Sequence, residues 1–191
     1  MLEYRRRLPH FQPDHARIFL TWRLFGTLAA RHEQGDCPTP GHAFAAADRA
    51  LHTCPGPRWL SDPSIAVLVA ESIRSGASQR HWYELDAWVV MPNHVHLLIL
   101  PRVPVPTITR WLKSWTARQA NEMLGQAGRP FWQDESYNHW ARDRPERERI
   151  ARYIEQNPVS AGLAASPEEW AWSSAGGQAA RPAPPSEHQP R

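Results

Sequence analysis

Two histidines separated by one residue are the side chains whose type and spacing best suit chemistry in this sequence. His94 and His96 lie in the segment 88–100, Trp-Val-Val-Met-Pro-Asn-His-Val-His-Leu-Leu-Ile-Leu, which predicts two buried strands joined at Pro92-Asn93. Because alternate side chains of a strand share a face, both imidazoles should point the same way, about 6 to 7 Å apart. They could form two corners of a metal site. A bare His-x-His more often places one histidine in the core, satisfied by a carbonyl, and the other at the sheet rim.

A tyrosine and an asparagine share one face of a later predicted helix, in which Ile150, Tyr153, Ile154 and Asn157 recur at helical spacing. If this face covers the histidine end of the sheet, the amide oxygen of Asn157 would be a third ligand. Two imidazoles and an amide oxygen suit Mg²⁺ or Mn²⁺, and Zn²⁺ less well. Tyr153 would then sit beside the metal, where its oxygen could attack a phosphate and leave a phosphotyrosine link to a 5′ end. Taken alone, Tyr153 could instead be a half-buried tyrosine bonded to the backbone, and Asn157 a helix-terminal residue before proline.

Three other side chains remain alternatives for the same site. Tyr137 is a second tyrosine among aromatic and polar neighbours, so it could be the nucleophile in place of Tyr153. His81 and His139 could also approach the site.

The composition favours nucleic acid as the partner. The chain has 191 residues and a formal charge of +3, and Lys113 is its only lysine, so the other 21 of its 22 basic side chains are arginines. Arginine grips phosphate with a planar fork, and the ten tryptophans offer flat surfaces on which unpaired bases can stack. Core packing and genomic base composition could account for much of both counts.

Candidate DNA contacts fall into three groups. The N-terminal arm contains Tyr4, Arg5 and Arg6. Candidate stacking residues are Trp111, Trp115, Trp132 and Trp140, of which the first two lie on the apolar stripe of a helix and are expected in the core. Candidate phosphate contacts, each of which could equally be a solvated surface residue, are Arg110, Lys113, Arg118, Arg142 and Arg144.

The elements that must position these residues alternate between strands and helices. The predicted elements are a strand at 16–28, a short helix at 44–52, a helix from Asp62-Pro63 to Gly76, strands at 83–91 and 94–100, a helix at 107–124, an extended segment at 131–140, and a helix from Asp143 that Pro158 should end at Asn157. This order predicts an α+β domain of the ferredoxin-like split βαβ type, with an antiparallel sheet and flanking helices. We expect the domain to occupy residues 1–175, followed by a disordered Ala/Pro-rich tail at 176–191.

A cytoplasmic location is expected. The N-terminal residues lack the apolar segment of a signal peptide, and no apolar run is long enough to span a membrane. Cys37 and Cys54 are not spaced like a zinc site and suit a reducing compartment.

Several of these segments together resemble the single-tyrosine HUH transposases, and particularly the REP-associated tyrosine transposases. The segments that carry the resemblance are Val-Val-Met-Pro-Asn-His-Val-His-Leu-Leu-Ile at 89–99, Phe-Trp-Gln at 131–133, Tyr-Ile-Glu-Gln-Asn-Pro-Val-Ser-Ala-Gly-Leu at 153–163 and Trp-Ser-Ser at 172–174. The resemblance implies that His94 and His96 are the metal-binding pair, Tyr153 the nucleophile, Asn157 the third ligand and Tyr4-Arg5-Arg6 a DNA-contacting arm. It also implies a ferredoxin-like fold, Mg²⁺ or Mn²⁺ as cofactor, and cleavage and rejoining of single-stranded DNA beside imperfect hairpins.

The interpretation that follows is a metal-dependent single-strand DNA endonuclease and transposase acting through a 5′-phosphotyrosine intermediate. Its competitors are a catalytically inactive module that binds hairpin DNA and a metallohydrolase without a tyrosine nucleophile. A replication initiator or relaxase would use the same chemistry but normally needs a larger chain. Homodimer formation, with active sites shared between subunits, stays open. The segment 31–59 is longer and richer in proline and glycine than the resemblance requires.

Overall fold

A four-stranded sheet with helices on both faces forms the framework of the protein. The computed structural model describes residues 16–27 and 48–176. The elements, in order, are β1 (Arg17–Arg23), helical residues 48–53, a 3₁₀ turn (Trp59–Ser61), α1 (Pro63–Ser78), β2 (Tyr83–Val90), β3 (His94–Pro101), α2 (Val105–Met123), β4 (Tyr137–Ala141), α3 (Arg144–Ser160) and a second 3₁₀ turn (Pro167–Glu169).

The strand order is β2-β3-β1-β4, and every neighbouring pair is antiparallel. β1 and β2 are therefore parallel, with β3 between them and α1 in their connection. β3 and β4 are likewise parallel, with β1 between them and α2 in their connection. The predicted α+β fold, with an antiparallel sheet and flanking helices, is confirmed.

The two faces of the sheet carry different layers. The larger hydrophobic cluster joins Val95, Leu97 and Ile99 of β3 to α1 and α2. The smaller cluster joins Phe19 and the neighbouring strands to Ile154 of α3. Because β3 alternates, its two histidines lie on the α3 side, opposite Val95, as the sequence predicts.

An aspartate with a proline one or two residues later begins two of the helices, as predicted. The Asp62 side chain accepts a hydrogen bond from the Ser64 backbone N–H at 2.8 Å, and the Asp143 side chain accepts one from the Glu146 backbone N–H at 2.7 Å. Each carboxylate satisfies a backbone donor that has no partner inside its helix. The proline in each first turn has no N–H that would need one.

The prediction that α3 ends at Asn157 is wrong, since the helix continues through Pro158 to Ser160. Proline cannot donate to the carbonyl four residues earlier, but its φ is compatible with a helix. The last turn is completed by other bonds, from the Ala161 N–H to the Asn157 carbonyl at 3.0 Å and from the Leu163 N–H to the Pro158 carbonyl at 2.9 Å. One lost bond near the end of a helix is therefore tolerated.

Two predicted strands are too long. β1 ends at Arg23, because Leu24 makes only an isolated bridge to Trp132 and the chain then turns through Gly26, whose φ is +82°. The extended segment predicted at 131–140 pairs as a strand only from Tyr137 onward. Because glycine adopts a positive φ easily, the chain turns at Gly26 despite the strand propensity of the residues around it.

Other predictions concern helix starts or lie outside the described residues. α2 begins at Val105 rather than at 107, with Pro106 in its first turn. Residues 48–53 are helical, but the rest of the helix predicted at 44–52 lies outside the described residues, as do the arm at 4–6 and the tail from 177 onward. Of the helices that the structure describes, none is long and apolar enough to cross a membrane.

Candidate metal centre and tyrosine site

Both predicted histidines are completely buried on the α3 side of the sheet. The Nδ1 atom of His94 lies 2.6 Å from Asn93 Oδ1, and the Nδ1 atom of His96 lies 2.8 Å from Thr21 Oγ1. These partners orient the rings and leave each Nε2 pointing into the site. Metal-binding histidines are commonly oriented in this way by a polar group on their second nitrogen.

The carboxylate of Asp48 faces the Nε2 atoms of both imidazoles. Its Oδ1 atom lies 3.1 Å from His96 Nε2 and 3.4 Å from His94 Nε2. The Asn93 amide nitrogen donates to the Leu51 carbonyl, so the Asn93 oxygen must accept from His94 Nδ1–H, and His94 Nε2 then carries a lone pair. Neither this nitrogen nor Asp48 Oδ1 has a hydrogen-bond partner among the described residues.

Two buried acceptors that face each other without a proton call for a cation. The three donor atoms of Asp48, His94 and His96 all lie within 4.8 Å of one another. Neighbouring ligands of an octahedral Mg²⁺ ion lie about 3 Å apart, given bonds of about 2.1 Å. The chemistry and spacing of these side chains therefore fit a divalent metal ion.

Tyr153 and Asn157 of α3 both contact the other oxygen of the same carboxylate. Asp48 Oδ2 accepts hydrogen bonds from the Tyr153 hydroxyl and, at 2.8 Å, from the Asn157 amide nitrogen. That nitrogen lies 3.4 Å from His96 Nε2, while the Asn157 oxygen lies 3.1 Å from His52 Nε2. The tyrosine and asparagine face of α3 thus covers the histidine end of the sheet. The role of Asn157 as a metal ligand stays a prediction.

Burial and charge determine the protonation of the site. Burial, followed by the charge of His96, lowers the pKa of His94 to about 3 and keeps its imidazole neutral, the form that binds metals. Burial alone would raise the pKa of Asp48, but His96, His94 and the Tyr153 hydroxyl together lower it well below its usual value. Burial, and then the charge and hydrogen bond of Asp48, raise the pKa of Tyr153.

Sequence reasoning missed two residues of this site, Asp48 and His52. They are four residues apart in the helical segment and share one face. The His52 ring is stacked against His94 with 6.0 Å between ring centroids, and its side chain is 9% exposed. An aspartate and a histidine at i and i+4 in the helix predicted at 44–52 were the available signal.

The alternative side chains lie elsewhere. His139 is bonded to Glu146 at 3.1 Å, and His81 is an exposed residue with a φ of 55° in the α1–β2 connection. Neither histidine belongs to the group of possible metal ligands formed by Asp48, His94 and His96. The Tyr137 ring packs edge-on against Phe19 with 6.2 Å between centroids, and burial raises its pKa. Its role as an alternative nucleophile remains untested.

The candidate stacking residues differ in their exposure. Trp132 is 6% exposed and belongs to the core, and Trp111 is half-buried against Trp82. The expectation of a core position is wrong for Trp115, which is 45% exposed. The buried stripe of α2 includes residues 108, 112 and 116 at intervals of four, which leaves Trp115 on its flank. Trp140 is 38% exposed.

Two of the candidate phosphate contacts bind groups of the protein itself. The Lys113 ammonium donates to the backbone carbonyls of Gln133 and Asp134, at 2.6 and 2.9 Å, and so fastens the loop before β4. Arg144 pairs with Glu148 at 2.8 Å. The remaining candidates are Arg142, which lies 6.0 Å over the Trp140 ring, and the exposed Arg110 and Arg118.

Comparison with known protein families decides the assignment of the chain. The family model described as "Transposase IS200 like" matches residues 63–157, a stretch that contains both histidines, Tyr153 and Asn157. This chain belongs to the IS200-like transposase family. Membership makes it a transposase, and its buried Asp-His-His group fits metal binding. Asp48 and His52 precede the matched stretch.

A solved structure agrees with the fold. The chain is similar to a REP-associated tyrosine transposase solved bound to a REP hairpin, with a TM-score of 0.57, 21% sequence identity, and coverage of 91% of this chain and 82% of that one. The chain also matches a Deinococcus radiodurans R1 protein described as a transposase, with a TM-score of 0.42, 20% identity, and coverage of 82% of this chain and 98% of that one. No curated protein matches the chain in sequence.

Proposed function

We propose that this transposase is a metal-dependent single-strand DNA endonuclease that cleaves and rejoins DNA beside hairpins through a covalent bond between Tyr153 and a 5′ phosphate. The observation that carries the proposal is the shared Asp48 carboxylate. One of its oxygens faces the two imidazole nitrogens, and the other holds the Tyr153 hydroxyl. A nucleophile and a set of metal ligands are thereby joined within one buried site.

In the proposed reaction the Tyr153 oxygen forms a bond to the phosphorus while the bond to the 3′ oxygen of the preceding nucleotide breaks. The hydroxyl proton leaves along its hydrogen bond to Asp48, and the departing 3′ oxygen takes up a proton from solvent. A divalent cation held by His94, His96 and Asp48, with Asn157 as a further candidate ligand, would offset the carboxylate charge and polarise the phosphate. Without that offset, burial and Asp48 keep the tyrosine protonated. Attack of a 3′ hydroxyl on the phosphotyrosine reverses the reaction and rejoins the strand.

Hairpin DNA is the substrate we propose, since the structurally similar REP-associated transposase was solved with a REP hairpin. The arm residues Tyr4, Arg5 and Arg6 are proposed to contact that DNA. Mg²⁺ or Mn²⁺ is the proposed metal, because hard oxygen and imidazole donors suit these ions. The cytoplasmic location and the homodimer remain predictions.

The test incubates the full chain with labelled single-stranded hairpin oligonucleotides taken from repeats that flank its gene, with Mn²⁺ or with EDTA. Denaturing gels would compare the wild type, Tyr153→Phe and Tyr137→Phe, a matched change of a second half-buried tyrosine on the same sheet face. We expect a protein-linked DNA band that requires Mn²⁺, persists in Tyr137→Phe and is lost in Tyr153→Phe.

The other outcomes separate the competing functions. An adduct lost only in Tyr137→Phe would move the nucleophile to Tyr137. Metal-dependent cutting without an adduct would indicate a metallohydrolase. Hairpin binding without cutting under any condition would indicate a binding module, and either of these last two results would overturn the proposal.

A further inference from the structure

His52 is a member of the site to which the proposed reaction assigns no role. Its side chain is 9% exposed and comes from the same helical segment as Asp48, one turn further along. The ring stacks against the His94 ring, with 6.0 Å between centroids and 20° between planes. Its Nε2 atom lies 3.1 Å from the Asn157 side-chain oxygen. The flat ring and the polar atom are therefore two separate ways in which His52 could serve the site.

The direction of the bond between His52 and Asn157 follows from the acceptor on the other side of the amide. Asp48 Oδ2 is a carboxylate oxygen and can only accept, so the atom 2.8 Å from it is the Asn157 amide nitrogen. The amide oxygen then faces His52. Because this oxygen also only accepts, His52 Nε2 must carry a proton and donate it. Hydrogen bonds therefore run in one direction, from His52 to Asn157 to Asp48.

His52 reaches the Asp48 carboxylate only through this amide. Its Nε2 atom lies 4.0 Å from Asp48 Oδ2, which is beyond hydrogen-bond distance. Asn157 is 2% exposed, so solvent does not supply another donor to its oxygen. If the amide turned end for end, its oxygen would face the carboxylate and the two acceptors would repel each other. The bond from His52 opposes this turn.

We propose that His52 is a positioning residue of the metal centre, which acts through the Asn157 amide to fix the orientation of the Asp48 carboxylate. This inference rests on the metal site of the proposed function and does not depend on attack by Tyr153. Loss of a hydrogen-bond partner behind a metal ligand typically lowers metal affinity by about tenfold to 100-fold, because the ligand is no longer held in place. One short helical segment then supplies both a ligand and the partner that orients it.

Two substitutions separate the hydrogen bond from the ring contact. His52→Phe keeps an aromatic ring against His94 but has no donor, whereas His52→Gln keeps a donor but has no ring. The Mn²⁺ affinity of the full chain is measured by isothermal titration calorimetry for both variants, and for His52→Phe combined with Asn157→Ala. His139→Phe, the same change at a half-exposed histidine paired with Glu146, is the matched control.

We expect His52→Phe to weaken Mn²⁺ binding about tenfold, and His52→Gln and His139→Phe to stay within about threefold of the wild type. In the Asn157→Ala background, His52→Phe should change the affinity by less than about twofold, because the amide through which it acts is gone. Long-range ¹H–¹⁵N NMR spectra of the metal-free protein should show a proton on His52 Nε2. A change that only disturbed packing would not produce this pattern.

Three results would overturn the proposal. His52→Gln could bind Mn²⁺ no more tightly than His52→Phe, which would show that a donor without the ring is not sufficient. The tenfold effect could persist in the Asn157→Ala background, or the proton of His52 could lie on Nδ1 alone. In each case the wild type still binds Mn²⁺ and the proposed function stands. A wild type that binds no Mn²⁺ would instead overturn the proposed metal site, and this inference with it.

Discussion

At the scale of single residues, Asp48 is the group on which the site depends. It is buried, and its two oxygens serve different neighbours, the imidazole nitrogens on one side and the hydroxyl and amide of α3 on the other. A buried carboxylate needs compensating charge or hydrogen-bond donors. Here a metal ion and the α3 donors would share that task, so that metal binding and placement of Tyr153 are coupled through one side chain.

Replacing Asp48 by asparagine should separate these two roles. Asp48→Asn keeps the shape and can still accept from Tyr153, but it removes the negative charge that faces His94 and His96. We expect Mn²⁺ affinity, measured by isothermal titration calorimetry, to fall by about tenfold to 100-fold. Asp134→Asn, a change of an exposed carboxylate in the loop before β4, should bind Mn²⁺ like the wild type. Unchanged affinity in Asp48→Asn would exclude Asp48 as a ligand.

The lowered pKa of His94 predicts how the metal-free protein responds to acid. In the unfolded chain His94 takes up a proton near pH 6.5, but in the folded protein it does so only near pH 3. Between these values the unfolded state binds more protons, so the free energy of unfolding falls as the pH falls. This contribution to stability is complete above pH 6.5.

Urea unfolding in EDTA, followed by tryptophan fluorescence, should show a loss of about 2 kcal/mol between pH 7.5 and pH 5. His94→Gln should lose most of this pH dependence, whereas His139→Gln, a change of a half-exposed histidine paired with Glu146, should retain it. Asp48 does not contribute in this window, because unfolded aspartate takes up protons only near pH 4. If the free energy of unfolding depended on pH equally in both variants, the assignment of this dependence to His94 would be wrong.

At the scale of elements, the site is built by three segments that are distant in sequence. β3 supplies the imidazoles, α3 supplies Tyr153 and Asn157, and the helical residues 48–53 supply Asp48 and His52. Because α3 tolerates Pro158, the helix continues beyond Asn157 to Ser160.

The opposite face of the sheet depends on a close approach between α1 and β2. Gly76 lies in α1 against Tyr83, whose hydroxyl donates to the Ile73 carbonyl at 2.6 Å. A Cβ at Gly76 would lie 2.6 Å from Tyr83 Cζ and closer still to its hydroxyl. Real Cβ atoms do not come this close to a ring, so the helix or the tyrosine would have to move.

Gly76→Ala should therefore destabilise the protein by about 1 to 3 kcal/mol in urea unfolding. A loss of stability would point to the contact with Tyr83, because helix propensity alone favours alanine over glycine by about 1 kcal/mol and would stabilise the protein. Ser78→Ala, an exposed change in the last turn of the same helix, should stay within about 0.5 kcal/mol of the wild type. Combining Gly76→Ala with Tyr83→Phe should cost less than the sum of the two single changes. If the two changes in the free energy of unfolding simply added, the contact between residue 76 and Tyr83 would not be the cause of the destabilisation.

At the scale of the whole molecule, the residues after α3 complete the sheet. β2 is an edge strand, and its outer side is bonded by the chain that follows the second 3₁₀ turn. Val90 N–H donates to the Trp172 carbonyl at 2.8 Å, Ser174 N–H donates to the Trp88 carbonyl at 2.9 Å, and the Trp170 indole donates to the Val90 carbonyl at 3.0 Å. An edge strand covered in this way has fewer free backbone groups.

Shortening the chain tests both this edge and the predicted domain boundary at 175. A chain ending at 176 should keep the melting temperature of the full chain. A chain ending at 164 loses the three bonds to β2 and should lose about 3 kcal/mol, or roughly 6 to 12 °C. Calorimetry would measure the melting temperatures of both shortened chains. Equal values would refute the role assigned to residues 170–174.

The sequence by itself determined the features that depend on neighbouring residues. Alternation in β3 predicted that His94 and His96 share a face opposite Val95, and helical spacing predicted that Tyr153 and Asn157 share another. The starts of α1 and α3, at Asp62-Pro63 and at Asp143-Arg144-Pro145, follow from local capping chemistry. Each of these patterns repeats within a few residues, so no knowledge of distant contacts is needed to interpret it.

Only the tertiary structure decided which of these faces meet. Asp48 lies 46 and 105 residues from His94 and Tyr153 along the chain, and its i, i+4 spacing to His52 indicates a shared helix face but not what that face contacts. Its importance comes from packing that brings its carboxylate between two imidazoles and a phenol. The same holds for Trp115 and Pro158, where packing on α2 and bonding beyond α3 outweighed local preference. Contacts between separate elements depend on how the whole chain packs, and spacing within one element cannot specify them.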